Sequence, residues 1–485
     1  MPASTNYALM PSMRKPRRPA GRTEANGAAP PSDPTRAGRE ADAEAKPYPY
    51  VWWNFAAITF DVAFWSAGMA CVDIGAVLPV FVSTLTGSKL LIAALTVLPG
   101  VGWTLPQLIG VSRIMHRPRK KGYLLGVAAL GRTPMLVLPA LLLFFQPSSK
   151  PLMLWALVGC YGTLFLTDGL IGAAWYDIIG KTIPSRVRGR FFGSMNILGG
   201  MGALGSGWLV RRVLASPHLT YPRQYGVLFA CMCAGLFLSF LLLAIIREPE
   251  GPVPSERAQP LRDVLSQVPR IWRRSPPLRR LLAVSWLGGL AGLAWPFYVL
   301  HGMKALALPP ESGAVFIWAS SIGNMGGSLA WAWLNDRRGP RSVVVGVAAL
   351  RSVPPALALA VPLLAGVYPQ LRAPEVAQYV YAVVFLFSGA VMSGGMMGFA
   401  NYLLELAPAR ERALFMGLGN TLNAPGLLAP VLGGWLVSVW SYQGVFAIAA
   451  VVGAISVLVS LSLQIPTAQH HAAPYVPPEA DRSPR

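Results

Sequence analysis

Residues 326–341 read GGSLAWAWLNDRRGPR. An apolar, glycine-rich run ends in the charged turn Asp336, Arg337, Arg338, Gly339, Pro340 and Arg341, and a second apolar run begins at once. So short a turn between two spanning segments predicts an antiparallel helix hairpin at a membrane face. A degenerate copy, RIMHRPRKK, stands at 113–121. The segment after each copy carries the same five residues, GVAAL at 126–130 and 346–350, with Pro134 and Pro354 following at the same offset. The chain reads as a duplicated membrane bundle.

Composition agrees. Of 485 residues, 54% are hydrophobic and 13% charged, against roughly 25% charged in an ordinary soluble domain. A soluble core could not hide that much apolar surface, so lipid is the expected solvent. Apolar windows of about 20 residues, the length a helix needs to cross a bilayer, recur at about 54–82, 90–112, 123–145, 152–176, 190–210, 224–246, 281–303, 313–334, 342–366, 376–400, 413–437 and 443–464. They are too long, and alternate too little, for membrane strands. The expected fold is an all-α membrane protein of twelve transmembrane helices in two pseudo-symmetric six-helix bundles.

The net charge of +21 would suggest nucleic acid in a soluble protein, but its placement argues otherwise. Loops on one side hold only Lys89, Lys150, Arg211, Arg212, Arg223, Lys304 and Arg372, while nearly all other Lys and Arg fall on the opposite side. This bias places both termini in the cytoplasm of a cell carrying the protein in its plasma membrane. The expected organisation is a polar tail at 1–49, a first bundle at 50–246, a basic central loop at 247–280, a second bundle at 281–465 and a tail at 466–485. The pair Cys231 and Cys233 lies on one helix with side chains pointing apart and no nearby third ligand, so no metal or other cofactor is expected.

The repeat continues beyond the hairpins. RGRFFGSMNIL at 188–198 answers RALFMGLGNTL at 412–422, and GWLV recurs at 207–210 and 434–437. Two related sets of six helices around a basic loop characterise one large class of secondary transporter. With AWLNDRRGPR at 332–341 in the second half and the Arg-rich opening at Arg188, the chain resembles the major facilitator superfamily over about residues 50–465. The first half departs from that family's loop pattern, with His116 and Arg119 where Asp and Gly are usual. The resemblance implies that the first, fourth, seventh and tenth helices of the chain line a central cavity. It implies a conformational latch at the cytoplasmic face from Asp336, Arg337, Gly339 and Arg341, with Glu405 as partner, and from Arg117 with Asp177. Such contacts form only when that face is closed.

Ionised groups at mid-bilayer cost about 2.5–3.5 kcal/mol each on insertion scales, which makes them functional candidates. Asp61, Asp73, Arg132, Asp168 and Arg351 lie inside the expected spans. Asp73, Asp168 and Asp61 are candidate substrate or proton groups, together with the lining residues Trp295 and Asn420. Arg132 and Arg351, one position apart in repeat register, suggest a shared structural role such as interhelical pairing. Every interior acid falls in the first half, so a proton carrier would lie there.

The function expected is secondary transport of a small, amphiphilic organic solute by alternating access, with proton coupling an option and export favoured over uptake. The partners are that solute, protons and the lipid bilayer, without nucleic acid, and the chain is expected to act as a monomer. A sugar or organic-solute importer and a transporter-shaped sensor or scaffold are the alternatives. No nucleophile–base spacing or phosphate-binding loop occurs, so enzymatic chemistry and ATP-driven pumping are not expected.

Overall fold

The structure, a computed structural model, describes residues 48–114, 117–145, 149–251, 269, 272–273, 275–407, 419 and 422–464. Among these residues there is helix and no strand. The helices belong to one compact unit. Each of the twelve apolar windows carries helix. The first, α1, comes in two pieces, Val51–Cys71 and Leu78–Leu85, and α2 likewise, as Lys89–Thr104 and Gln107–Ile114. There follow α3 (Lys121–Phe145), α4 (Lys150–Thr182), α5 (Ser185–Leu214), α6 (Arg223–Ile245) and α7 (Pro276–Leu306). The last five are α8 (Gly313–Arg338), α9 (Pro340–Val367), α10 (Pro374–Leu406), α11 (Ala424–Val439) and α12 (Tyr442–Leu461). Seven of these (α3, α4, α6, α7, α9, α10 and α12) are long and apolar enough to cross a membrane by length and composition alone.

The decisive hairpin forms as its residues require. Gly339 adopts φ 74°, a conformation that only glycine enters without strain, and its amide closes the end of α8 on Asn335 O at 2.8 Å. Pro340 then opens α9 at the first position, where a missing N–H costs nothing. At the other end of the bundle, serines cap α2, α4 and α12. Ser88 accepts from Leu91 N at 3.3 Å, Ser149 from Leu152 N at 3.4 Å and Ser441 from Gly444 N at 3.1 Å.

The up-and-down order puts the 2–3 and 8–9 turns at one end, which we call the basic end, and the caps of α2, α4 and α12 at the far end. Side chains such as Trp52, Phe144, Trp155, Leu363 and Leu458 remain exposed around the bundle. That outward apolar belt suits lipid and would be a liability in water.

The buried core is not symmetric between the two ends. Toward the far end one continuous cluster joins both halves, holding Phe81, Ile92, Tyr161 and Phe229 of the first together with Phe297, Phe316, Tyr381 and Phe446 of the second. At the basic end it divides. Ile58, Leu124, Ile178 and Phe191 form a cluster confined to the first half, and Leu281, Val344, Tyr402 and Leu403 one confined to the second.

Two seams join the halves, α2 against α11 and α5 against α8. Both depend on glycine. A Cβ on Gly434 would stand 2.7 Å from Lys89 O and 3.0 Å from Ala93 Cβ, and one on Gly207 would stand 2.5 Å from Trp318 Nε1. Small residues of this kind let helix backbones approach closely where hydrophobic driving force between helices is weak.

Candidate functional site

Three interior charges of the first half come together. Asp61 is buried on α1 and accepts a short hydrogen bond from the Ser239 hydroxyl of α6, with Trp175 of α4 as a further donor. Arg132, at the end of the first stretch of α3, interacts through space with both Asp61 and Asp168. Its Nη1 donates to Leu236 O at 3.0 Å, and its guanidinium lies 5.3 Å from the Trp65 ring and 5.9 Å from that of Phe240. Its Nε is buried without a hydrogen-bond partner. Asp61 and Asp168 thus lie within electrostatic range of one guanidinium, without a direct ion pair to it. Asp73 lies twelve residues after Asp61 along α1 and belongs to another place.

Asp73 sits where α1 is interrupted. Its Oδ1 accepts from Gly75 N at 2.9 Å and Ala76 N at 2.8 Å, while its carbonyl accepts from Val77 N and Leu78 N at 3.0 and 2.8 Å. The side chain thus restarts the helix by holding amides that the break would leave unpaired. In the second half, α7 is interrupted at the corresponding place by a 3₁₀ stretch, Gly292–Phe297, that contains Pro296. The two breaks meet: a Cβ on Gly75 would lie 3.4 Å from Asp73 Oδ1 and 3.5 Å from Trp295 Nε1. Trp295 and Asp73 therefore share one junction between the halves, with Tyr161 of α4 donating to Val72 O at 3.5 Å beside it. Asn420 lies outside the described residues.

Arg351 departs from the shared role suggested by the repeat. No carboxylate among the described residues faces it, because the acids of α8 and α10, Asp336, Glu375 and Glu405, stand near the ends of their helices. Instead its guanidinium occupies the space left by two glycines. A Cβ on Gly288 of α7 would fall 1.2 Å from Nη1, and one on Gly395 of α10 would fall 3.1 Å from Nη2. The space left beside it amounts to about 20 Å³, room for about one water, and is lined by Leu281, Ser285, Val347, Gly398 and Phe399 among others. Asp61 and Asp168 contribute to the electrostatic surroundings of Arg132, whereas no carboxylate among the described residues does so for Arg351.

At the basic end the expected pairing of Arg117 with Asp177 is not what the structure holds. Lys120 and Lys181 both take the Asp177 carboxylate at 2.7 Å, since they approach it from the α3 start and from its own helix. Arg117 is left exposed, 5.9 Å from the Tyr123 ring. Glu248, just after α6, completes this cluster. It accepts from the amides of Lys120 and Lys121 at 2.7–2.9 Å and pairs with Lys181 at 3.2 Å, its side chain only 1% exposed. Sequence reasoning did not single out Glu248. The signal available was an acid directly after the sixth span, opposite the basic start of the third.

In the second half Asp336 and Glu405 are exposed, and neither forms an ion pair among the described residues. Arg337 lies 4.6 Å from the Trp333 ring, and Arg341 donates to Leu461 O at 3.0 Å. These polar contacts all fall within one half.

The described residues form a two-halved helical bundle with interrupted first and seventh helices, apolar enough to lie in a membrane. The profile of the major facilitator superfamily matches residues 295–480. Solved transporters share the fold. The nucleoside transporter NupG aligns with a TM-score of 0.63 at 14% identity, covering 84% of this chain and 99% of its own. A D-xylose-proton symporter aligns with 0.61 at 14% identity, over 86% and 98%. A bacterial homolog of the human lysosomal transporter Spinster gives 0.54 at 13%, over 86% and 95%. The family match covers most of the second half, and the likeness to the solved transporters is one of fold. Uncharacterized proteins of Mycobacterium tuberculosis and Mycobacterium bovis are 25% identical over 291 residues, 58% of this chain, and the match spans about half (53%) of their length.

Proposed function

We propose that the protein exports a small, amphiphilic organic solute by alternating access, using protons as the coupling ion, with both termini on the cytoplasmic side. The observation that carries this reading is the divided core. One cluster joins the halves at the far end and two separate clusters lie at the basic end, which is the packing of a bundle closed on one side and open on the other. Positive-inside charge orients the open, basic end toward the cytoplasm. A domain boundary in the central loop, between 246 and 281, lets the first and second bundles rock as bodies about the glycine seams.

In the opposite state the exposed Asp336 and Arg337, with the half-buried Arg341, engage Glu405 and the facing half, and so latch the basic end. The Asp61–Arg132–Asp168 cluster supplies the proton site, because in it a carboxylate can change charge while Arg132 holds the other. The apolar walls and few polar groups of the junction at Asp73 and Trp295 suit an amphiphilic solute.

Counterflow in proteoliposomes tests the reading. Labelled uridine, D-xylose, dialanine and 4-toluenesulfonate are each offered against an excess of the same solute inside. At least one should exchange faster than in protein-free vesicles. A pH gradient should drive its accumulation in the parent but not in Asp168→Asn, while exchange at equal pH persists. If none exchanges, the sensor or scaffold reading replaces transport; accumulation unaffected by Asp168→Asn removes the proton site.

A further inference from the structure

Lys89 opens α2 at its first helical position, directly after the Ser88 cap. A cation there faces the positive end of its own helix, an arrangement that favours an anion nearby. Across the seam stand Lys304, in the last turn of α7, and the start of α12 at Ser441 and Tyr442. Lys89 Nζ lies 5.8 Å from the Tyr442 ring, so the two halves meet at this point. With Trp440 and Ala305, these residues line a pocket of about 400 Å³ at the far end. The buried His301 ring forms part of its wall and packs against Tyr442 and Phe446. The volume is that of a small-ligand site, roughly 300–1,000 Å³. Its lining includes no carboxylate, and neither lysine forms an ion pair among the described residues.

What adjoins the pocket is apolar. The glycines of α11 turn toward its neighbours, Gly434 to α2 and Gly433 to α7. Leu428, Leu432, Trp435 and Val439 are left exposed along its remaining side. This stripe runs up the helix to Trp440, itself exposed and part of the pocket wall. Tryptophan at the end of an apolar helix face sits at the headgroup level of a bilayer.

We propose that this pocket binds the phosphate of an anionic phospholipid. The headgroup lies between Lys89 of the first half and Lys304 of the second, and an acyl chain follows the exposed side of α11. The two lysines select a negative headgroup, and the apolar stripe selects a lipid over a free anion. The bound lipid adds a bridge across the seam of α2 and α11, at the end where the core already joins the halves. The inference stands apart from the transport reading, since it needs only a bilayer.

Native mass spectrometry tests the proposal on the purified protein in detergent. Titration with dioleoylphosphatidylglycerol, or with zwitterionic dioleoylphosphatidylcholine, reads the affinity for the first lipid bound. The phosphatidylglycerol should bind more tightly, by roughly fivefold or more. Lys89→Gln and Lys304→Gln should each weaken it about fivefold, the share of one lysine at an anionic lipid surface, and leave phosphatidylcholine unchanged. Ala305→Trp should weaken it as well, by filling the pocket without altering its charge. Lys150→Gln should not: Lys150 opens α4 behind a serine cap at the same end but is not part of this pocket.

Equal affinity for the two lipids overturns the proposal. So does a loss in Lys150→Gln that matches the pocket variants, because attraction to the whole basic surface then accounts for the binding. Displacement of phosphatidylglycerol by inorganic phosphate would give the pocket to a free anion instead. Parent-like affinity in Lys89→Gln, Lys304→Gln and Ala305→Trp would place the lipid elsewhere.

Discussion

The indole nitrogen of Trp318 on α8 donates to the carbonyl oxygen of Leu204 on α5 across 2.9 Å, joining the second half to the first toward the far end. The same ring packs where Gly207 lacks a side chain, so one residue both seals the seam and fixes its register.

Trp318→Phe keeps an aromatic ring and removes the hydrogen bond. A net loss of about 1 kcal/mol shifts the ratio of far-end-open to far-end-closed molecules by roughly fivefold. A cysteine at Ala314, a buried position on the same helix, reports this through its alkylation rate once the four native cysteines, Cys71, Cys160, Cys231 and Cys233, are replaced by alanine. The rate should rise about fivefold in the variant; an unchanged rate means that the bond does not hold the seam.

Glu248→Ala leaves the amides of Lys120 and Lys121 and the Lys181 ammonium without their shared carboxylate. Breaking a buried, hydrogen-bonded ion pair costs about 3 kcal/mol, so the unfolding midpoint in detergent should fall by several degrees. Glu248→Gln retains an acceptor oxygen and should fall less. Equal, parent-like midpoints in both variants would show that the chain after α6 is not anchored through this side chain.

Asp73 restarts α1 by accepting from the amides of Gly75 and Ala76. Asparagine can accept the same amides, whereas alanine cannot, so Asp73→Ala should lose about 1 kcal/mol of stability and Asp73→Asn almost none. Counterflow should survive in Asp73→Asn. Its loss in a normally stable Asp73→Asn protein would instead give the carboxylate charge a direct part in solute or proton handling.

The hairpin at 326–341 was legible because its chemistry is local. A glycine at positive φ followed by proline at a helix start can be read from neighbours a few residues apart. The duplicated GVAAL segments and the apolar windows also identified the architecture without any knowledge of long-range contacts. The ion pairs were not legible in the same way. Asp177 lies between two lysines, one its neighbour on α4 and the other far away in sequence at the start of α3, and nothing local ranks Lys120 over Arg117 as its partner. The repeat register also suggested one role for Arg132 and Arg351. Register fixes where a side chain starts, but the acids of neighbouring helices decide what it meets, and only the first half has them. The interruption of α1 at Asp73 carries Gly75 within the break and Pro79 just after it, but a single glycine in an apolar run does not by itself end a helix, so the break shows only once the backbone is in place.

The most direct test of alternating access is to hold the far end shut. Cysteines at Gly207 and Trp318, bridged by a short thiol-specific cross-linker in the background free of native cysteines, join α5 to α8 across the seam. The account predicts counterflow before bridging, none after it, and recovery when a reducible bridge is cleaved. Counterflow that continues with the bridge intact would contradict alternating access about this seam.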